Sequence, residues 1–126
     1  MQIEKLDHVN LRTTQLKALI DWYTDVLGMR AGDRPDFPFP GAWMYAGEAA
    51  VVHLIDIEGA PGIGSEVELK LEHFAFSAKG RFEFEAKLEA LGERYQQLEI
   101  PSFNIIQINI WDPDGNHIHI DFPADE

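Results

Sequence analysis

Of the five histidines in this chain, four stand in a repeating pattern. His8 closes the triplet Leu6-Asp7-His8 and His73 closes Leu71-Glu72-His73, an offset of 65 residues. His53 sits inside Val52-His53-Leu54 and His119 inside Ile118-His119-Ile120, an offset of 66. Leu27-Gly28 and Leu91-Gly92 add a third landmark at an offset of 64. Near-constant offsets of this kind indicate an internal duplication. Each half therefore carries one histidine early and one late. A lone histidine on a strand is usually a satisfied structural residue, but four at repeat-equivalent positions point to metal binding. Imidazole suits zinc, nickel, iron and copper, and a set without sulfur or crowded carboxylates argues against calcium. The expected cofactor is a divalent metal ion with His8, His53, His73 and His119 as its candidate ligands.

The elements that must position these residues are legible from periodicity. Ile3 to Arg12 alternates as a strand does, and Leu16, Leu19, Ile20, Tyr23 and Leu27 form one apolar helical stripe. Thr13 or Thr14 is placed to cap that helix and Gly28 to end it. Three alternating prolines make 33–41 an extended loop. Short strands are expected over Ala42–Ala46 and Ala50–Ile57. The segment 59–65 has turn composition throughout.

The second half repeats the plan. A strand is expected over Val67–Ser77, then a helix striped by Phe84, Leu88 and Leu91 with a Glu83–Lys87 pair on its wet side. Strands around Tyr95–Ile100, Phe103–Trp111 and His117–Phe122 follow, the last two joined by a tight turn at Asp112-Pro113-Asp114-Gly115-Asn116. The fold class is α+β: two paired βαβββ modules, about 1–58 and 66–126 with a linker at 59–65, forming a single domain over 1–126. Because neighbours on a strand face opposite ways, Ile118, Ile120 and Phe122 belong to one face, and His117, His119 and Asp121 to the other. If the apolar faces pack on the helices, the four landmark histidines line the concave side of the sheet.

Composition narrows the function classes. The chain has 126 residues, 45% of them hydrophobic, which is the balance of a globular protein. With no cysteine, disulfides and thiolate chemistry are excluded. Ten basic residues against 22 acids give a net charge of −12, a field that repels nucleic acid and anionic membrane surfaces. The N-terminal stretch is neither a signal segment nor a membrane span, so a cytoplasmic location is expected.

The pattern resembles the vicinal oxygen chelate superfamily, the fold of glyoxalase I, extradiol dioxygenases and the fosfomycin- and bleomycin-resistance proteins. Leu6-Asp7-His8-Val9, Tyr23 to Met29, Leu71 to Phe76 and Asp112 to Asn116 carry the resemblance, which covers nearly the whole chain. It implies an open, cup-shaped mixed sheet with helices on its outer face, holding one divalent metal. By position it implies ligands at His8, His73 and His119, with His53 at a place that only some members use. In familiar members the ligand equivalent to His119 is a glutamate, and glyoxalase-type chemistry needs a carboxylate near the metal. Asp121 shares a face with His119, about 6–7 Å further along, and is the expected catalytic base.

Asn10, Arg12, Gln107 and Asn109 are expected beside the ligands as substrate-binding residues, with Arg12 the cation that would orient an anionic substrate. Phe37, Phe39 and Trp43 flank the proline loop, either as a wall of the substrate cavity or as packing that pins the loop down. His117 reads as the exposed end of a strand, and Glu83, Glu85 and Glu89 as a solvated face. The expected function is a metal-dependent enzyme, of dioxygenase or lyase type, acting on a small oxygen-bearing substrate that chelates the metal. The alternative is a sequestering protein of the bleomycin-resistance kind without turnover. The family habit of covering open sheet edges implies a homodimer.

Overall fold

A computed structural model of the chain describes residues 1–2, 4–58 and 71–126. The expected linker at 59–65 and the stretch Val67 to Lys70 lie outside the described residues. The chain divides into two units, Met1–Gly62 and Ile63–Glu126, and each contains one four-stranded mixed sheet and one α-helix.

In the first unit the order is β1 (Val9–Thr13), α1 (Leu16–Asp25), β2 (Arg30–Gly32), β3 (Gly41–Ala46) and β4 (Ala49–Asp56). In the second it is β5 (Phe74–Ser77), α2 (Arg81–Leu91), β6 (Tyr95–Ile100), a 3₁₀ turn at Pro101–Phe103, β7 (Ile105–Trp111) and β8 (His117–Pro123). The sheet orders are β1-β4-β3-β2 and β5-β8-β7-β6. β1 runs parallel to β4 and β5 parallel to β8, and the remaining pairs are antiparallel. The two sheets have one topology, as the duplicated landmarks require.

α1 forms where its apolar stripe allows burial. Leu19, Trp22 and Tyr23 are buried, and the helix packs on β2, β3 and β4. Gly28 takes a left-handed φ of 67° after it, a conformation that costs glycine nothing. The N-cap is Gln15 rather than a threonine; the Thr13 hydroxyl accepts the Gln15 amide at 3.0 Å from just outside the helix. α2 is held more lightly. Leu88 is its one buried residue and Leu91 is exposed, so the expected three-residue stripe is shorter than its sequence suggests. Its ion pair is Arg81 with Glu85 at 3.0 Å, not Glu83 with Lys87, and Glu89 accepts the Tyr95 hydroxyl. Two of the three glutamates expected on a solvated face thus have protein partners.

Strand boundaries differ from the sequence reading in one respect that matters to the site. β1 and β5 begin only at Val9 and Phe74, so His8 and His73 stand one residue ahead of their strands. Among the described residues no helix is long and apolar enough to cross a membrane.

Candidate metal centre and substrate hollow

β8 alternates as expected. Ile118, Ile120 and Phe122 are buried, while His117, His119 and Asp121 take the other face. Register places Asn109 opposite His119, Gln107 opposite Asp121 and Trp111 opposite His117. One potential ligand atom from each of His73, His117 and His119 lies within 4.8 Å of the other two. The His73 and His119 rings stack at 4.0 Å, and His117 meets both edge-on.

The rings are oriented by their neighbours. Glu72 bridges two of them, one carboxylate oxygen on Nδ1 of His73 and the other on Nδ1 of His117. These hydrogen bonds, the His73 one foremost, hold the Glu72 carboxyl below its ordinary range. With Nδ1 of His73 engaged, Nε2 is left to coordinate. His117 is not an exposed strand end. Its side chain is only 9% exposed, its Nε2 faces Oδ1 of Asn109 at 2.9 Å, and Trp111 stacks on it. Asn109 also donates to the Gln96 carbonyl, so it ties His117 to β6. Burial, followed by the charges of His73 and His117, lowers the pKa of His119 and favours the neutral, coordinating imidazole. Asp121 buries Oδ1 with no hydrogen-bond partner.

The first unit repeats the early-histidine device. Asp7 takes Nδ1 of His8 at 2.7 Å, as Glu72 takes that of His73, and this bond holds the Asp7 carboxyl below its ordinary range. The His8 ring stacks on His53 at 3.8 Å, and Trp43 stacks on His53 at 4.0 Å. Two parallel rings that close to a third must lie on opposite faces, so His53 is the middle of a three-ring column. It is 8% exposed, its Nε2 lies 3.1 Å from the Ala50 carbonyl, and burial, then the His8 charge, lowers its pKa. This column forms one side of a hollow of about 650 Å³ that Asn10, Arg34, Phe37 and Phe39 also line. Arg12 is exposed and stands outside that lining.

The sequence reading took His117 for an exposed strand end and did not single out Arg34. His117 shares a face with His119 by strand alternation, so its signal was present. Arg34 precedes Phe37 and Phe39 in a proline-locked loop, a weaker signal that becomes visible once the loop folds over the hollow.

The model of the Glyoxalase/Bleomycin resistance protein/Dioxygenase superfamily matches residues 5–120. The chain belongs to that superfamily. A putative glyoxalase family protein from Bacillus anthracis is similar in structure, with a TM-score of 0.78 at 21% identity over 98% of each chain. A lactoylglutathione lyase from Agrobacterium tumefaciens gives a TM-score of 0.71 at 20% identity, covering 98% of this chain and 97% of that one. The fosfomycin resistance protein FosX from Listeria monocytogenes gives 0.70 at 13%, covering 96% and 94%. No curated protein matches.

The residues present fit the divalent ion that membership in this superfamily leads one to expect. Nitrogens bound tetrahedrally to one zinc at about 2.1 Å lie about 3.4 Å apart, so the His73–His117–His119 group must draw in to hold an ion, and His117 must release either Glu72 or Asn109 to offer a nitrogen. The unpartnered Asp121 oxygen on the same face gives a superfamily site with histidine at position 119 a nearby carboxylate.

Proposed function

We propose that the protein is a metal-dependent enzyme of this superfamily, acting on a small substrate that chelates one divalent ion through neighbouring oxygens. The observation that carries the reading is the three-histidine cluster of His73, His117 and His119. His73 and His119 are the ligands assigned first. His117 is the third of the cluster once it releases Glu72 or Asn109, and His8 and His53, stacked in the first unit, complete the expected four with His73 and His119. When bound, the ion supplies Lewis-acid polarisation of the substrate oxygens. Asp121, half-buried and with an Oδ1 that has no hydrogen-bond partner, is the group proposed to take a proton from the substrate, in chemistry of the lyase or dioxygenase type. Glu72 and Asn109 hold the imidazoles in orientation. The chain is proposed to act as a homodimer, in line with the exposure of Phe82, Leu98 and Phe103.

The test is the metal content of untagged protein purified without chelator, followed by assay with iron, nickel, zinc and manganese against catechols and 2-oxoaldehyde–thiol adducts. One ion per chain is expected, lost in the His73→Ala, His119→Ala double variant. Full occupancy in that variant overturns the assignment of ligands. Metal binding without turnover of either substrate class favours the sequestering alternative.

A further inference from the structure

The first-unit hollow is lined by two cations, Lys5 and Arg34, and two acids, Asp7 and Glu48. Arg34 is half-buried, and among the described residues no carboxylate pairs with it, in a chain with 22 acidic residues. Its guanidinium donates to the Phe39 carbonyl at 2.9 Å and lies over the Phe37 and Phe39 rings at 5.0 and 5.2 Å. A side chain at Gly41 would collide with the Leu54 carbonyl and with this guanidinium, so the glycine leaves the arginine its place. The other lining cation, Lys5, acts on the Asp7 carboxylate. A guanidinium carries five N–H donors in a fork that matches a carboxylate, and Arg34 directs one of them to protein.

The walls beside it are flat. Phe37 and Phe39 stack in parallel at 5.1 Å, and Trp43 tilts toward Phe37 at 6.5 Å. Rings of this kind pack best against another ring. The lining also carries Lys5, Asp7 and Glu48, with Asp7 bonded to His8, so a ligand anion is placed by Arg34 and kept away from the two acids. A pocket of several hundred cubic ångströms with ring walls and such a cation selects by shape and by charge. We propose that this hollow binds a planar aromatic carboxylate, its ring against Phe37, Phe39 and Trp43 and its carboxylate on the fork of Arg34. The hollow belongs to the first unit and the histidine cluster to the second, so the inference goes beyond the enzyme reading above, and the subsite needs no metal in order to bind.

The experiment is a calorimetric titration of chelator-treated protein with benzoate, cyclohexanecarboxylate and benzyl alcohol. Benzoate is expected to bind at least about tenfold more tightly than either of the others, because each lacks one of the two features recognised. Arg34→Met should weaken benzoate by about tenfold or more and leave benzyl alcohol unchanged. Arg34→Lys should recover only part of the loss, since an ammonium cannot make the paired hydrogen bonds. Equal binding of benzoate and benzyl alcohol, or an Arg34→Met variant that keeps its benzoate affinity, overturns the proposal. Should the variant lose its fold, benzoate must still shift the Arg34 side-chain and Trp43 indole resonances of the unaltered protein, and shifts confined elsewhere overturn it too. Metal content is read separately. Benzoate binding by a protein that never takes up metal keeps the subsite and removes the enzyme reading, and the opposite result does the reverse.

Discussion

His53 and His119 share one physical situation: an imidazole withdrawn from water beside another imidazole. Burial is the leading cause of the lowered pKa in both, and the neighbouring ring adds to it. The sign of the stability effect follows. In the unfolded chain these groups titrate near the ordinary value of 6.5, whereas the folded protein takes up their protons only at lower pH. Below 6.5 the unfolded state binds more protons, so stability falls as pH drops from that value toward the depressed folded one. Urea unfolding of chelator-treated protein should therefore show a midpoint that declines on going from pH 7 toward pH 5, and His53→Gln should reduce the decline. An unchanged slope in that variant would assign the effect to other groups. At this scale the sequence was informative about position and less so about surroundings. The acid-then-histidine triplets announced both early histidines, and alternation put His117, His119 and Asp121 on one face. That His117 would be enclosed by Trp111, Asn109 and Glu72 depended on cross-strand register, which no local pattern encodes.

The turn between β7 and β8 shows how one side chain can hold an element together. The Asp112 carboxylate accepts the backbone amides of Asp114 and Asn116 and the side-chain amide of Asn116, and the residue is 4% exposed. Gly115 supplies the positive φ of 81° that the turn requires. Asp112→Ala leaves those donors without their acceptor, and a loss of about 2–3 kcal/mol in unfolding free energy is expected by chemical denaturation. α2 is anchored through Leu88, which is fully buried, and Leu88→Ala should cost about 2–5 kcal/mol by the same measurement. Both helices and the Asp112 turn were readable because their signals are local: a 3.6-residue stripe, a glycine at the end, a turn composition. β2 was not readable. Its three residues are too few to show a period, and it exists because β3 offers an edge to pair with. The 3₁₀ turn at Pro101–Phe103 also escaped notice, lying at the join of two expected strands and taking Phe103 from the second.

For the whole molecule, two features bear on association. Phe103, Phe82 and Leu98 are 75%, 63% and 53% exposed, more large apolar surface than one unit of this size needs to show, and light scattering at micromolar concentration is expected to give the mass of a dimer. A monomer would contradict the proposed assembly. The net charge of −12 opposes the approach of any anionic ligand, so added salt should speed such association by screening the field. The duplication that organises the sequence also sets the order in which structure can appear. In each sheet the last strand made is an inner one: β4 lies between β1 and β3, and β8 between β5 and β7. β1 has no other neighbour, and Val9 waits for Val52 before it gains one. A nascent chain leaving the ribosome thus carries its opening strand unpaired through the synthesis of an entire half, and loop closure of that length slows the first pairing. Once β4 emerges, the first sheet has every strand it needs while the second half is still being translated. The same delay then begins again with β5.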